Sequence, residues 1–162
     1  MSDDPRIKEL IALHRMRPHP EGCYFVEVFR SENQVDPQDD RSKRSAITAI
    51  LFLMPAGDIS RFHRVRSDEV WSHLEGAPVR QISLSPDLDE MNGFELSSSN
   101  DGQPLRVIPA DWWQASVSTG SFSLVSCTVG PGFDFEDFEL AEKGQLEALF
   151  PAHRDLITRL TR

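Results

Sequence analysis

Hydrophobic and polar residues alternate in short runs over most of this chain, a pattern typical of half-buried β-strands. Strands are predicted at residues 23–30, 47–53, 62–65, 69–74, 79–84, 105–108, 112–117 and 121–129, with a weaker one within 86–103. Turn-forming clusters of Asp, Asn, Gly, Ser and Pro separate them. About eight short strands divided by turns predict a β-sandwich or β-barrel.

Helical periodicity is confined to the two ends of the chain. Near the N-terminus, Asp4 can cap a helix whose first position is Pro5, and the apolar residues that follow fall at helical spacing. Near the C-terminus, residues 142–150 and 152–160 also carry apolar residues at helical intervals and are split by Pro151.

These patterns predict one domain that is all-β with peripheral helices and spans residues 1–162. The N-terminal helix is expected at 5–15, the barrel at about 22–135 and the helical tail at about 140–161. The charged stretch 31–43 is predicted to be a solvated loop.

Charge and composition narrow the range of partners. The 162 residues carry a net charge of −9 and have a pI near 5.0, which argues against a nucleic-acid-binding surface. There is no apolar run of about 18 residues and no signal-peptide pattern, so no membrane association and a cytoplasmic location are predicted. Cys23 and Cys127 have no metal-type spacing and are predicted to be reduced thiols.

The candidate chemistry lies on the strand pair at residues 62–73. If no bulge interrupts this pair, alternation places on one face His63, Val65, Glu69, Trp71 and His73. In a small barrel that face is the interior, where an ionisable group needs a partner or a ligand. The pattern therefore predicts a ligand cavity. The alternative is that His63 and Glu69 only bond each other and complete the core.

Aromatic residues offer further lining for a planar ligand. Trp71 is predicted to face the cavity and Tyr24 to contribute a binding group. One of the adjacent pair Trp112 and Trp113 must point away from the other and can pack under the C-terminal helices; which one does so stays open.

Arginines and phenylalanines near the barrel end allow two interpretations. An inward Arg30, Arg44 or Arg64 would suit a carboxylate or phosphate on a ligand. The favoured interpretation is that they form ion pairs with the acidic loop or with Asp134 and Asp137. A plug for the barrel end or a dimer surface is predicted from Phe133, Phe135 and Phe138.

Several motifs carry a family resemblance. They are Pro20-Glu21-Gly22 before Tyr24-Phe25, Phe29-Arg30-Ser31, Arg44-Ser45 with Thr48-Ala49-Ile50, Phe62-His63-Arg64-Val65 with Ser67-Asp68-Glu69 and Trp71, and the long stretch from Cys127 to Ala141. On these motifs the chain resembles the cupin superfamily, and more narrowly the small single-domain cupins of family five, a domain-of-unknown-function family. The resemblance implies a cupin jelly-roll β-barrel and a homodimer, in which the apolar strand 47–53 would lie at an edge that pairing covers.

The resemblance also implies a metal site, from which this chain departs. The common cupin site uses three histidines and one glutamate, and the matching positions here are His63, Val65, Glu69 and Gln114. Because two strong ligands rarely hold a transition metal, no metal cofactor is predicted. A weakly bound divalent metal at His63 and Glu69 stays open.

Together these features predict a small-molecule-binding cupin that is a metal-independent enzyme of the isomerase, epimerase or lyase type. Glu69 would act as base or acid with His63 and His73 as its partners. The ligand would be bound by Tyr24, Trp71 and Gln114. The alternatives are a non-catalytic small-molecule binding or sensing protein and a metal-dependent cupin enzyme.

Overall fold

The structure, a computed structural model, describes residues 4–87, 90–99, 102–142, 144–149, 151 and 154–161. Helices are α1 (Pro5–His14), α2 (Gln145–Leu149) and α3 (Arg154–Leu160), with a 3₁₀ turn at Phe135–Asp137. The strands are β1 (Arg17–Pro18), β2 (Tyr24–Arg30), β3 (Gln34–Val35), β4 (Arg44–Ser45), β5 (Thr48–Pro55), β6 (Ser60–Val65), β7 (Asp68–Gly76), β8 (Val79–Leu84), β9 (Met91–Leu96), β10 (Leu105–Ile108), β11 (Trp113–Ser118), β12 (Phe122–Gly130) and β13 (Phe138–Leu140).

These strands form two large antiparallel sheets in a jelly-roll barrel. One sheet has the order β1-β2-β5-β12-β7-β10 and the other the order β13-β6-β11-β8-β9, while β3 and β4 pair separately. Consecutive strands β6 and β7 lie in different sheets, so the turn at Arg66 and Ser67 carries the chain from one wall of the barrel to the other. The predicted all-β class is confirmed. The short strands β1, β3, β4 and β13 were not predicted.

Alternation along the strands gives each sheet an inner and an outer apolar face. On β5, Phe52 joins the inner cluster that contains residues of both sheets, whereas Leu53 packs outward against the cluster around α1. The helix α1 begins where predicted: Asp4 accepts a hydrogen bond from the Arg6 backbone N–H at 2.9 Å, and its buried residues are Ile7 and Leu10. It therefore covers the outside of the six-stranded sheet.

The C-terminal helices cover the outside of the other sheet. Trp113 on β11 is buried with Leu146, Ile157 and Leu160 from the two helices. The question left open by the sequence is thereby answered: Trp113 packs under the tail, while Trp112 packs against the inner cluster. Because Trp113 faces outward, its neighbour Gln114 faces inward.

The charged segment 31–43 is largely exposed, as its prediction as a solvated loop requires, but the side chain of Arg41 anchors it to the barrel. The guanidinium of Arg41 is buried and donates to Ser67 at 2.9 Å and to Asp137 at 3.3 Å. Next to it, the buried Arg44 forms two hydrogen bonds with the Asp137 carboxylate, at 2.9 and 3.0 Å. The predicted ion pairing with the Asp134–Asp137 segment is confirmed for Arg44.

The prediction that residues 47–53 form a sheet edge is wrong. Strand β5 pairs with β2 on one side and with β12 on the other, so its backbone groups are satisfied within the sheet. The apolar character of this strand reflects burial on both faces.

None of the helices that the structure describes is long and apolar enough to span a bilayer.

Asp137 should be a critical residue for stability. Replacing Asp137 by Ala leaves the buried guanidinium groups of Arg41 and Arg44 without their shared partner, and we expect the free energy of unfolding to fall by about 3–5 kcal/mol. The matched control is Glu139→Ala, which removes the half-exposed ion pair with Arg64 and should cost about 1 kcal/mol or less. Urea unfolding measures both, and equal losses would contradict the assignment.

Candidate functional site

A cavity of about 180 Å³ opens at one end of the barrel, between the two sheets. Its walls come from the inner face of the six-stranded sheet, from His63 and Val65 on β6, and from residues 133–138, here called the aromatic segment. The lining residues are Arg17, His19, Glu21, Phe25, Glu27, Arg30, Thr48, Ile50, Phe52, His63, Val65, Glu69, Trp71, Cys127, Val129, Phe133, Asp134, Phe135 and Phe138.

A tight turn before β2 brings Glu21 into this cavity. Gly22 has a φ of 113°, and a Cβ there would collide with the carbonyl oxygen of Ile59, so the turn requires glycine. Arg61 fixes the same turn, since its backbone N–H and its Nε both donate to the Glu21 carbonyl, at 3.0 and 3.1 Å. The Glu21 side chain is thus held against β6 by backbone geometry.

The Glu21 carboxyl group has three polar neighbours inside the barrel. Ser60 Oγ donates to Oε1 at 2.7 Å. The other oxygen, Oε2, lies 3.2 Å from His63 Nε2 and 3.4 Å from His19 Nδ1. Glu21 is only 5% exposed and His63 only 2%, so this cluster is shielded from water.

The contacts of His63 define where its protons lie. Its Nδ1 is 2.7 Å from the carbonyl oxygen of Arg61, which can only accept, so Nδ1 carries a proton. The facing pair, His63 Nε2 and Glu21 Oε2, then shares a second proton. Burial raises the pKa of Glu21 to about 8 and lowers the pKa of His63. Near neutral pH that proton therefore resides on Glu21, whose Oε2 lies 3.2 Å from His63 Nε2.

His19 is held neutral beside this pair. It accepts a hydrogen bond from the Glu21 backbone N–H at Nδ1, at 3.3 Å. Burial, with smaller contributions from His63 and Arg17, lowers the pKa of His19 to about 3. Its ring packs edge-on against Phe25, with centroids 4.6 Å apart.

Glu69 is the second carboxyl group of the cavity. Gln114 Nε2 donates to its Oε2 at 2.5 Å, and Gln114 Oε1 in turn accepts from Gln81 at 3.1 Å. Burial raises the pKa of Glu69, while His63 and the Gln114 hydrogen bond oppose that rise. The buried indole N–H of Trp71 has no hydrogen-bond partner of normal geometry, but its interaction with Glu69 also opposes the rise in the pKa of that carboxyl group.

Three of the predicted site residues line the cavity, namely His63, Glu69 and Trp71. Gln114 is buried behind Glu69 and does not line the cavity, so it orients the carboxyl group instead of contacting a ligand. The expectation that Tyr24 lies in this pocket is wrong, because Tyr24 packs with the cluster under α1 and lines a separate shallow pocket.

His73 also lies outside the cavity. It is buried on the inner face as strand parity predicted, but its two ring nitrogens contact Ser98 Oγ and the Ala77 carbonyl, each at 2.9 Å. It is four positions beyond Glu69, which is about 13 Å along a strand. His73 therefore satisfies polar groups at the opposite end of the barrel from the cavity. Strand parity fixes the face of a side chain but not its depth.

The sequence predicts no role for Glu21, His19 or Arg17, and it predicts that the phenylalanines of the aromatic segment plug the barrel end or form a dimer surface. The structure places all of them on the cavity wall. The sequence signal for the role of Glu21 is weak. Glu21 stands between Pro20 and Gly22 in one of the motifs that carry the resemblance, but nothing local predicts that a charged turn residue is buried. Two of the arginines with predicted ion pairs find other acidic partners than those predicted: Arg30 pairs with Glu27 at 2.7 Å, and Arg64 pairs with Glu139.

The donor set does not fit the three-histidine, one-glutamate metal site that the resemblance implies. Val65 has no donor atom, and both amide atoms of Gln114 are already engaged by Glu69 and Gln81. In the part of the chain that the structure describes, no three His, Cys, Asp or Glu side chains are grouped closely enough to hold a metal ion. Cys127 is buried beside Glu69, and burial raises the pKa of its thiol, which makes it a poor nucleophile.

Comparison with known proteins gives a family match over most of the chain. A family profile described as "Cupin superfamily (DUF985)" matches residues 8–141. Among curated proteins, none matches significantly.

Two solved structures are similar over nearly their whole length. A hypothetical protein from Leishmania major is 29% identical, with a TM-score of 0.88 over 95% of this chain and 97% of that chain. A protein from Shewanella oneidensis is 32% identical, with a TM-score of 0.85 over 96% of each chain. More distant is KdgF from a Halomonas species, at 13% identity and a TM-score of 0.55 over 77% of this chain and 93% of that chain, which shows likeness of fold alone.

The buried proton of Glu21 predicts a pH dependence of stability. The pKa of Glu21 is raised from 4.5 to about 8, so the folded state binds this proton more tightly than the unfolded chain. The resulting stabilisation is complete below pH 4.5 and is lost as the pH rises through about 8. Over this window we expect a loss on the order of a few kcal/mol from this group.

The variant Glu21→Gln keeps the shape and cannot titrate, so its free energy of unfolding should vary less between these pH values. Urea unfolding at several pH values measures the difference from the wild type. The control Glu139→Gln, at a half-exposed position, should retain the wild-type slope. A Glu21→Gln slope equal to that of the wild type would show that Glu21 is not a buried acid.

Proposed function

This chain belongs to the cupin superfamily family DUF985, and from that premise we propose that it is a small-molecule enzyme of the isomerase, epimerase or lyase type that needs no metal. The observation that carries the proposal is the convergence of Glu21, His63 and Glu69 in one buried cavity. Proton transfer at a carbon beside a carbonyl requires one group to accept a proton and another to donate one. This cavity offers both.

Glu69 is assigned as the base. One of its oxygens is held by Gln114 at 2.5 Å, and the carboxylate is assigned to accept a proton from a substrate carbon. Burial raises its pKa towards the operating range of a general base, while His63 and Gln114 keep the charged form accessible. In the reaction the C–H electron pair becomes the π-bond of an enol or enolate, and the proton moves to Glu69.

The pair of Glu21 and His63 is assigned as the acid. The two heavy atoms of this pair, Glu21 Oε2 and His63 Nε2, lie 3.2 Å apart at the cavity wall, and the proton between them can be donated to the substrate oxygen as negative charge develops there. Return of a proton to the same carbon on the other face gives epimerisation. Return to a neighbouring carbon gives isomerisation, and loss of a β-substituent gives elimination.

The surroundings suit this chemistry. The walls facing the three groups are apolar, with Phe25, Phe52 and Phe138 among them, so electrostatic interactions inside are weakly screened. The fold also hosts enzymes: an oxalate decarboxylase shares it, at 13% identity and a TM-score of 0.55 over 88% of this chain and 36% of that chain. That likeness supports the fold as an enzyme scaffold and says nothing of the substrate.

Hydrogen–deuterium exchange tests the proposal without knowledge of the natural substrate. In D₂O, the wild type should exchange the protons beside the carbonyl of 3-oxocyclohexanecarboxylate, 4-oxopentanoate or 2-oxobutanoate faster than buffer does, as read by NMR. Glu69→Gln preserves the shape of the side chain and removes the base, so the enzymatic rate should fall by about 10²–10⁴-fold.

Two controls sharpen this experiment. Glu139→Gln, which lies outside the cavity lining, should retain the wild-type exchange rate. Treatment with a chelator should leave the rate unchanged, and loss of exchange on chelation would favour a metal-dependent enzyme instead. Exchange that persists in Glu69→Gln would contradict the base assignment. Binding of a probe without exchange would favour the non-catalytic binding or sensing protein.

We also propose a homodimer, on the family resemblance. Sedimentation velocity at micromolar concentration should then give twice the chain mass of 18.3 kDa. A sharp boundary at the monomer mass across a dilution series would contradict the dimer.

A further inference from the structure

Arg17 is a positively charged group of the cavity wall that has no ion-pair partner among the described residues. It lies on β1 and is exposed, and its guanidinium carbon rests 4.8 Å from the centre of the Phe25 ring, which also lines the cavity. Among the residues that the structure describes, no carboxylate lies within ion-pairing distance of Arg17. Stacking on an aromatic face fixes a guanidinium while leaving its edge N–H groups free.

The other charged groups of the wall are already engaged. Arg30 donates from Nε and Nη2 to the two oxygens of Glu27, at 3.0 and 2.7 Å, and also to the Phe133 carbonyl. Asp134 accepts the backbone N–H of Glu136 at 2.9 Å. Since Glu27 and Arg30 neutralise each other, Arg17 is the cation that remains available to a ligand among the wall residues that the structure describes.

The remaining walls restrict the shape of that ligand. The rings of Phe25, Phe52, Trp71, Phe133, Phe135 and Phe138 surround a space of about 180 Å³. An apolar protein cavity of about 150 Å³ can hold a benzene molecule, so the space accepts a single small ring. Aromatic faces contact flat or cyclic carbon frameworks with little loss of conformational entropy.

We propose that the cavity binds a small cyclic metabolite that carries one carboxylate or phosphate group, with the ring against the aromatic walls and the anionic group on Arg17 at the mouth. This inference rests on the proposed function in that it names a substrate class for the same cavity. In this arrangement the anion stays in the wetter outer part of the site. The carbon framework reaches inward, towards Glu69 and the pair of Glu21 and His63.

The charge requirement is tested by isothermal titration with benzoate and with benzamide, its neutral isostere. Wild-type protein should bind benzoate at least tenfold more tightly than benzamide. Arg17→Gln should reduce benzoate affinity about tenfold or more and leave benzamide affinity unchanged, because only the anion loses its partner. Arg17→Lys, which keeps the charge but not the fork of donors, should fall between the two. Titration with phenyl phosphate in place of benzoate distinguishes a phosphate from a carboxylate on the ligand. The probe that binds more tightly identifies the anionic group that the site prefers.

Arg106→Gln is the matched control. Arg106 also stacks on an aromatic ring, that of Phe94 at 4.2 Å, but it does not line the cavity. Its substitution should not change benzoate affinity. The proposal is overturned if benzamide binds as tightly as benzoate, if Arg17→Gln retains benzoate affinity, or if neither benzoate nor phenyl phosphate binds. These titrations measure binding without turnover. If the protein binds benzoate as expected but catalyses no hydrogen–deuterium exchange, only the catalytic proposal is refuted.

Discussion

Glu21 and Glu69 lie inside an apolar barrel with almost no access to water, and each carboxyl group therefore needs partners from the protein. Glu21 obtains them from Ser60 and His63, and Glu69 from Gln114. These partners belong to β6 and β11, which pair so that His63 and Gln114 are directly opposite. The polar cluster thus links the two sheets, and its placement depends on the register of one strand pair.

The aromatic segment that closes the wall is fixed by a second buried cluster. Asp137, in the 3₁₀ turn of this segment, bonds both Arg41 and Arg44. The arginines belong to the charged stretch before β5, so one carboxylate holds two distant parts of the chain together. Breaking this cluster would free the phenylalanines of the cavity wall as well as destabilise the fold. Stability and the shape of the binding site are therefore coupled here.

The chemistry of the site follows from a difference in surroundings between similar groups. Both glutamates are buried, but one faces a neutral histidine with which it shares a proton and the other accepts an amide N–H. Two carboxyl groups with different partners can serve as acid and base in one reaction. The positive charge of Arg17 lies at the wetter mouth of the cavity, away from these two buried carboxyl groups.

Sequence alone determined the strand pattern, the N-terminal helix and the shared inward parity of His63, Glu69, Trp71 and His73, because these depend on periodicities of two and 3.6 residues. It did not determine depth along the barrel, which puts His73 at the far end and Tyr24 beneath α1. Nor did it predict the burial of Glu21, Arg41 or Asp137. Ser60 and His63, two of the partners of Glu21, lie about 40 residues away along the chain, and the partners of Arg41 and Arg44 lie up to 96 residues away. Such distant contacts exist only once the sheets have packed, and local residue patterns carry no record of them.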